Sequence, residues 1–99
     1  MPGRFTKRKD SNQRELVQYA KAVGFSVLET HNLGDGLDLL VGYAGIDQRV
    51  EVKDGKKPPS RRVLTDGERD VFRLWRGREP VIWENEADVI ATRNKLMGW

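Results

Sequence analysis

The sequence predicts an α/β domain of the α+β kind: a mixed central sheet flanked by helices, with elements in the order α-β-β-β-α-β-α. Three observations predict it. Two apolar-alternating runs, Leu37 to Tyr43 and Ile46 to Lys53, flank a two-residue Ala44-Gly45 turn, the pattern of a β-hairpin. Two segments with helical spacing open on a capping box, Asn12-x-x-Glu15 and Thr65-x-x-Glu68. A short Val81-Ile82-Trp83 run after Pro80 then reads as a strand before the last helix.

Residues 1–10 read as a flexible basic arm ahead of an expected single domain, 11–99. In the first helix Leu16, Tyr19, Ala20 and Val23 recur at helical spacing, and Gly24 ends it. Phe25 to Glu29 alternates as a strand. Thr30 to Gly36, with Asn32, Gly34 and Gly36, reads as a loop in which Asp35 serves a turn. The hairpin places Leu39 opposite Val50, Leu37 opposite Val52 and Tyr43 opposite Ile46, so the apolar faces match along the whole ladder. Asp54-Gly55 breaks the third strand, and Lys56 to Val63 is a basic loop stiffened by Pro58-Pro59. The second helix carries Val71, Phe72 and Trp75, with Gly77 near its end. The third is capped by Asn85 and carries Ala87, Ile90, Ala91 and Met97 on or near one face. Trp75 and Trp83 fall at apolar-periodic positions and are expected in the core.

Composition narrows the function classes. At 99 residues the chain has room for one modest core. Charged residues are 33%, but 37% hydrophobic residues and three Trp argue for folding rather than disorder. The absence of cysteine excludes a disulfide framework, a zinc ribbon and a thiol nucleophile, and the lone His31 excludes a multi-histidine metal site. No apolar run is long enough to span a bilayer and there is no signal-peptide pattern, so a soluble cytoplasmic protein is expected. The net charge is +3, unevenly spread. Arg4, Lys7, Arg8 and Lys9 crowd the arm, while Lys53, Lys56, Lys57, Arg61 and Arg62 crowd the segment after the third strand, a distribution suited to a polyanion.

The chemistry centres on the hairpin. Its register sets Asp38 directly opposite Glu51, a like-charge pair that costs up to about 1 kcal/mol against a neutral one. Lys53 on the same face offsets part of this, and a divalent cation would offset more. Two carboxylates, an adjacent backbone carbonyl and waters suit magnesium, and Lys53 beside an attacking water would suit metal-assisted hydrolysis. The competing reading of these residues is a solvated polar face with a cross-strand salt bridge.

The order of elements around Asp38 and Glu51-x-Lys53 resembles the PD-(D/E)XK nuclease superfamily, in particular the small stand-alone phage and bacterial nucleases of the VRR-NUC and Holliday-junction-resolvase type. The residues that carry the resemblance are Gly36-Leu37-Asp38-Leu39-Leu40-Val41-Gly42, Val50-Glu51-Val52-Lys53-Asp54-Gly55, the basic Lys56-Lys57-Pro58-Pro59-Ser60-Arg61-Arg62, and Leu64-Thr65-x-x-Glu68. It covers roughly residues 12 to 92 and implies a restriction-endonuclease-like αβββαβ core.

The resemblance implies that Asp38 and Glu51 ligate Mg²⁺, or Mn²⁺ in its place, with the Val52 carbonyl as a third ligand. Lys53 would polarise the attacking water and stabilise charge on the phosphorane. Glu15 matches an acidic residue on the first helix that often completes such sites. Glu68 stands where many relatives place Gln, with Phe72 four residues on. Both Glu15 and Glu68 are also third residues of capping boxes, and a side chain bonded to its own cap is not free to turn toward a metal. Leu37 stands where the family usually has Pro. The implied activity is a metal-dependent DNA endonuclease selective for junctions or flaps. Lys56, Lys57, Arg61, Arg62, Arg8 and Lys9 would contact the DNA, and symmetric junction cleavage would require a homodimer. The alternative is a DNA-binding module on a nuclease fold that does not cut.

Overall fold

A computed structural model of the chain describes residues 11–33 and 37–98. The basic arm with Arg8 and Lys9, the turn assigned to Asp35, and Trp99 lie outside the described residues. The elements are α1 (Ser11–Ala22), β1 (Ser26–Glu29), β2 (Leu39–Tyr43), β3 (Ile46–Val52), a 3₁₀ turn (Pro59–Arg61), α2 (Asp66–Leu74), β4 (Val81–Trp83) and α3 (Glu86–Leu96). The order matches the one expected. None of the described helices is long and apolar enough to cross a membrane.

The hairpin sets the sheet. Ala44 and Gly45 both have positive φ, 54° and 79°, the backbone of the type I′ turn whose twist suits a two-residue connection. Tyr43 therefore pairs with Ile46 and Leu39 with Val50, as the alternation predicts. β1 adds antiparallel to β2, and β4 adds parallel to β3 after the crossover through α2, giving a mixed sheet in the order β1-β2-β3-β4.

The two faces of the sheet are built differently. Leu39, Val41, Val50 and Val52 send their side chains to one face, where Leu16, Val17 and Ala20 of α1 and Val89 and Leu96 of α3 close the core with Trp83 and Phe25. α2 lies on the other face, its Glu68 reaching Lys53 at the end of β3. Trp83 is the largest fully buried side chain; its indole N–H donates to Thr92 Oγ1 at 2.9 Å and its ring meets Phe25 edge-on. Trp83→Ala should destabilise the protein by roughly 3–5 kcal/mol, measurable by urea melting, because it opens a cavity and orphans the Thr92 partner.

Three expectations need correction. α3 buries Val89, Thr92 and Leu96, while Ala87 and Ala91 are exposed. The helix rotates so that Thr92 can satisfy the indole of Trp83, a tertiary demand that outweighs the small apolar gain of two alanines. Trp75 is 47% exposed and caps the C-terminus of α2 rather than entering the core. Its neighbours Val71 and Phe72 are only half-buried, because one short helix cannot cover a whole sheet face. α1 begins at Ser11, which places Asn12 inside the first turn instead of at the cap. The Asn12 amide leaves the helix altogether and donates to the Lys53 carbonyl at 2.8 Å, tying α1 to the end of β3.

Candidate functional site

Asp38 immediately precedes β2, and continuing the Leu39–Val50 pairing by one residue sets it against Glu51. Neither lies on a solvated face: Asp38 is 6% exposed and Glu51 2%. The two strands part here, so Asp38 uses its side chain where the ladder ends, and its Oδ2 accepts the Val52 N–H at 2.9 Å. That bond brings one expected ligand against the backbone of another.

Glu51 is the least comfortable group in the site. No N–H or O–H donor reaches its buried Oε1. Burial, a hydrogen bond shared with the Glu68 carboxyl, and the nearby charges of Asp38 and Glu68 push its pKa from 4.5 up to about 9, against a smaller opposing pull from Lys53. A hydrogen bond between two carboxyl groups needs a proton on one of them, and that proton resides on Glu51. Without a cation, three acidic side chains and a single ammonium meet here, and taking up a proton is the only relief available.

Lys53 closes the cluster. Its Nζ lies 2.9 Å from Glu68 Oε1 and 3.4 Å from Glu51 Oε2. Burial pulls the ammonium toward deprotonation, but the hydrogen bond to Glu68 and the negative charges around it prevail, and its pKa rises above the usual lysine value. Glu68 behaves oppositely to Glu51. Burial raises it, but bonds from Glu51, the Thr65 N–H and Lys53 together hold it below the usual carboxylate range.

Glu68 keeps its cap and also reaches a side chain of the cluster. The capping box is complete: Thr65 Oγ1 accepts the Glu68 N–H at 3.1 Å and Glu68 Oε1 accepts the Thr65 N–H at 2.9 Å. That same Oε1 accepts Lys53. A carboxylate oxygen has two lone pairs, so one atom starts α2 and holds the Lys53 ammonium. The cap thus delivers the side chain to the site instead of withholding it.

Glu15 is not brought to the cluster. It is exposed on α1 and lines a separate cavity of about 310 Å³ with Asn12, Lys56 and Glu84. The capping box expected of it does not form, because α1 starts two residues before the expected first helical residue and leaves Glu15 exposed. The buried polar residue of this helix is Gln13, whose Nε2 donates to Glu29 Oε1 at 3.2 Å. Asn12 and Gln13 are the polar residues here that sequence reasoning missed, and the only signal for them was a polar pair preceding an apolar stripe.

The basic loop starts where β3 ends. Asp54 Oδ1 accepts the Lys56 N–H and the Asp54 carbonyl accepts the Lys57 N–H, a turn that fixes the loop's departure from the site. Lys56, Lys57 and Arg61 are exposed. Arg62 is half-buried, with Nη1 3.4 Å from Glu84 Oε1, so part of its charge is committed inside the protein. His31 is half-buried, and among the described residues its Nδ1 meets no hydrogen-bond partner.

The donor set fits a hard divalent cation. Asp38 and Glu51 supply carboxylate oxygens, Val52 a carbonyl, and the orphaned Oε1 of Glu51 is a buried acceptor lacking a positive partner. Among the described residues no cluster of three or more acidic or His side chains is arranged to hold a metal. Comparison with protein families, curated proteins and solved structures found no match for this chain, and the functional reading rests on the geometry described above.

Proposed function

We propose that this chain is a metal-dependent endodeoxyribonuclease that hydrolyses phosphodiester bonds in branched or flapped DNA, a nuclease of the PD-(D/E)XK type. The observation that carries the reading is the buried Glu51 carboxyl: it faces Asp38, it has an oxygen without a donor, and it lies beside a protonated lysine. A purely structural ion pair would not retain a third and fourth polar group in a position that forces one carboxyl to hold a proton.

Asp38, Glu51 and the Val52 carbonyl would hold Mg²⁺ or Mn²⁺. When bound, the ion polarises a phosphoryl oxygen and lowers the pKa of a coordinated water. The chain's own residues do the rest. Glu68 holds the Lys53 ammonium on Glu51's side of the site and keeps it charged, so that Lys53 can donate to the negative charge that develops on the phosphoryl group. The capping box fixes Glu68, and the Asn12 amide fixes the Lys53 backbone, so neither side chain has to reorganise during the reaction. Lys56, Lys57 and Arg61 supply sequence-independent phosphate contacts.

The test is incubation with end-labelled duplex, flap and four-way-junction DNA in Mg²⁺, Mn²⁺ or EDTA. Cleavage in either metal and none in EDTA is expected, with the junction or flap cut in preference to the duplex. Tight binding without cleavage in any metal would overturn the nuclease reading and leave a DNA-binding module.

A further inference from the structure

On the α2 face of the sheet, beside the carboxylate cluster, lies a groove of about 500 Å³ that the proposed chemistry does not use. Leu28 and Leu40 line its sheet side, and Trp75 and Arg49 stand at its α2 side. The groove adjoins the cluster at two points. Thr30, which lines it, donates its backbone N–H to the Asp38 carbonyl at 2.7 Å, and Arg49 is two residues from Glu51 on the same strand face.

Trp75 is exposed but held. Its backbone N–H closes the end of α2 on the Val71 carbonyl. The Arg49 guanidinium lies 4.3 Å from the ring centroid, a cation–π contact with a largely buried partner. Gly77 lets the following loop pass against the indole edge, since a Cβ there would stand 2.7 Å from Nε1. An aromatic ring fixed on one face and one edge, yet 47% exposed, is pre-organised to receive a second flat group. The loop after it carries Arg76 and Arg78, both exposed. Asp47, at the rim, and the exposed Glu79 beside Arg78 are opposing charges, and Arg73 is taken up by Asp70 at 2.9 Å.

We propose that this groove holds an unpaired nucleobase of single-stranded DNA, stacked on Trp75, with Arg78 and Arg76 taking the adjoining phosphates. Apolar walls, an aromatic platform and flanking guanidinium groups are the three components of sequence-tolerant single-strand recognition. A second copy of this chain would also cover leucines, but it would leave the two loop arginines against its own surface without a stated partner. The inference deepens the nuclease reading and rests on it for its biological sense: the groove selects DNA with unpaired bases next to the cleavage site.

The test measures binding in EDTA at one fixed salt concentration, by fluorescence anisotropy of labelled oligo-dT and of a blunt duplex. Trp75→Ala should lower the ratio of single-strand to duplex affinity about fivefold or more, the loss of one base stack. Trp75→Phe should restore most of that ratio, because any aromatic face can stack. Arg78→Ala should weaken oligo-dT binding at that salt concentration and, in a separate salt titration, flatten its salt dependence. An unchanged ratio in Trp75→Ala overturns the inference, and so does conversion of a dimer to a monomer by that substitution with the ratio preserved. Wild-type cleavage of DNA with an unchanged ratio in Trp75→Ala sinks the groove and leaves the nuclease reading. Trp75-dependent oligo-dT binding without cleavage in any metal sinks the nuclease reading and leaves the groove.

Discussion

Glu51→Gln should melt higher than the wild type at pH 8 in EDTA, yet lose about 100-fold or more of its DNA cleavage. Both halves follow from one pKa. Glu51 is raised from 4.5 to about 9, so between those values the folded protein keeps a proton that the unfolded chain has released. The stability this group contributes is fully present below pH 4.5 and is lost as the pH rises through 9. Metal-free wild type should therefore lose stability from pH 5 to pH 9. Gln is neutral throughout, fills the same space, and can donate its amide to Glu68 in place of the carboxyl proton. The substitution removes the alkaline limb of the profile. A gain of about 1 kcal/mol at pH 8 corresponds to roughly 4–8 °C in a chain of this size. The acid limb should survive, because Glu68 is held below its usual value and its contribution is lost as the pH falls through that lowered pKa. A variant both more stable and inactive separates a functional carboxylate from a structural one. Equal pH profiles for wild type and variant in EDTA would contradict the account.

Lys53→Arg is expected to fold and to lose about 10²–10³-fold in cleavage rate, read as single-turnover kinetics with saturating enzyme. The positive charge persists, so Glu68 and Glu51 keep a partner and the melting temperature should fall little. Catalysis fails because a planar fork on a longer stem cannot occupy the position of a compact ammonium held 2.9 Å from Glu68. Lys53→Ala should lose activity to the same degree, but it also leaves two carboxyls buried without a cation, which costs about 3 kcal/mol or more. The pair of substitutions divides charge from geometry. Activity in Lys53→Arg near the wild-type level would mean that Lys53 serves only to neutralise the cluster.

The hairpin was legible because period-two alternation and a turn that accepts positive φ leave only one register. Asp38 and Glu51 fell opposite each other for that reason alone, whereas the burial of both had no signal in the alternation. The Thr65–Glu68 box was equally legible, since it is a local pattern with local bonds. Glu68's second partner was not, because Lys53 is distant in sequence and nothing in a capping motif states which way α2 will dock. The same limit explains Glu15. Its role depended on where α1 begins, and that start is linked to an Asn12 bond with a residue 41 positions away. Trp75 and the apolar face of α3 failed for a related reason: periodicity marks which residues are apolar, whereas coverage of a sheet decides which of them are buried. Arg49, stacked beneath Trp75, had no sequence signal at all.

Thermal melting with and without Mg²⁺ at pH 8 decides whether Asp38 and Glu51 form a divalent-cation site. At ten times the dissociation constant a bound ion contributes about 1.4 kcal/mol, which raises the melting temperature by roughly 6 °C or more. That rise is expected in the wild type, a smaller one at pH 6, where displacing the proton from Glu51 costs more than at pH 8, and none in Asp38→Asn. No shift at saturating Mg²⁺ or Mn²⁺, or an equal shift in Asp38→Asn, would contradict it.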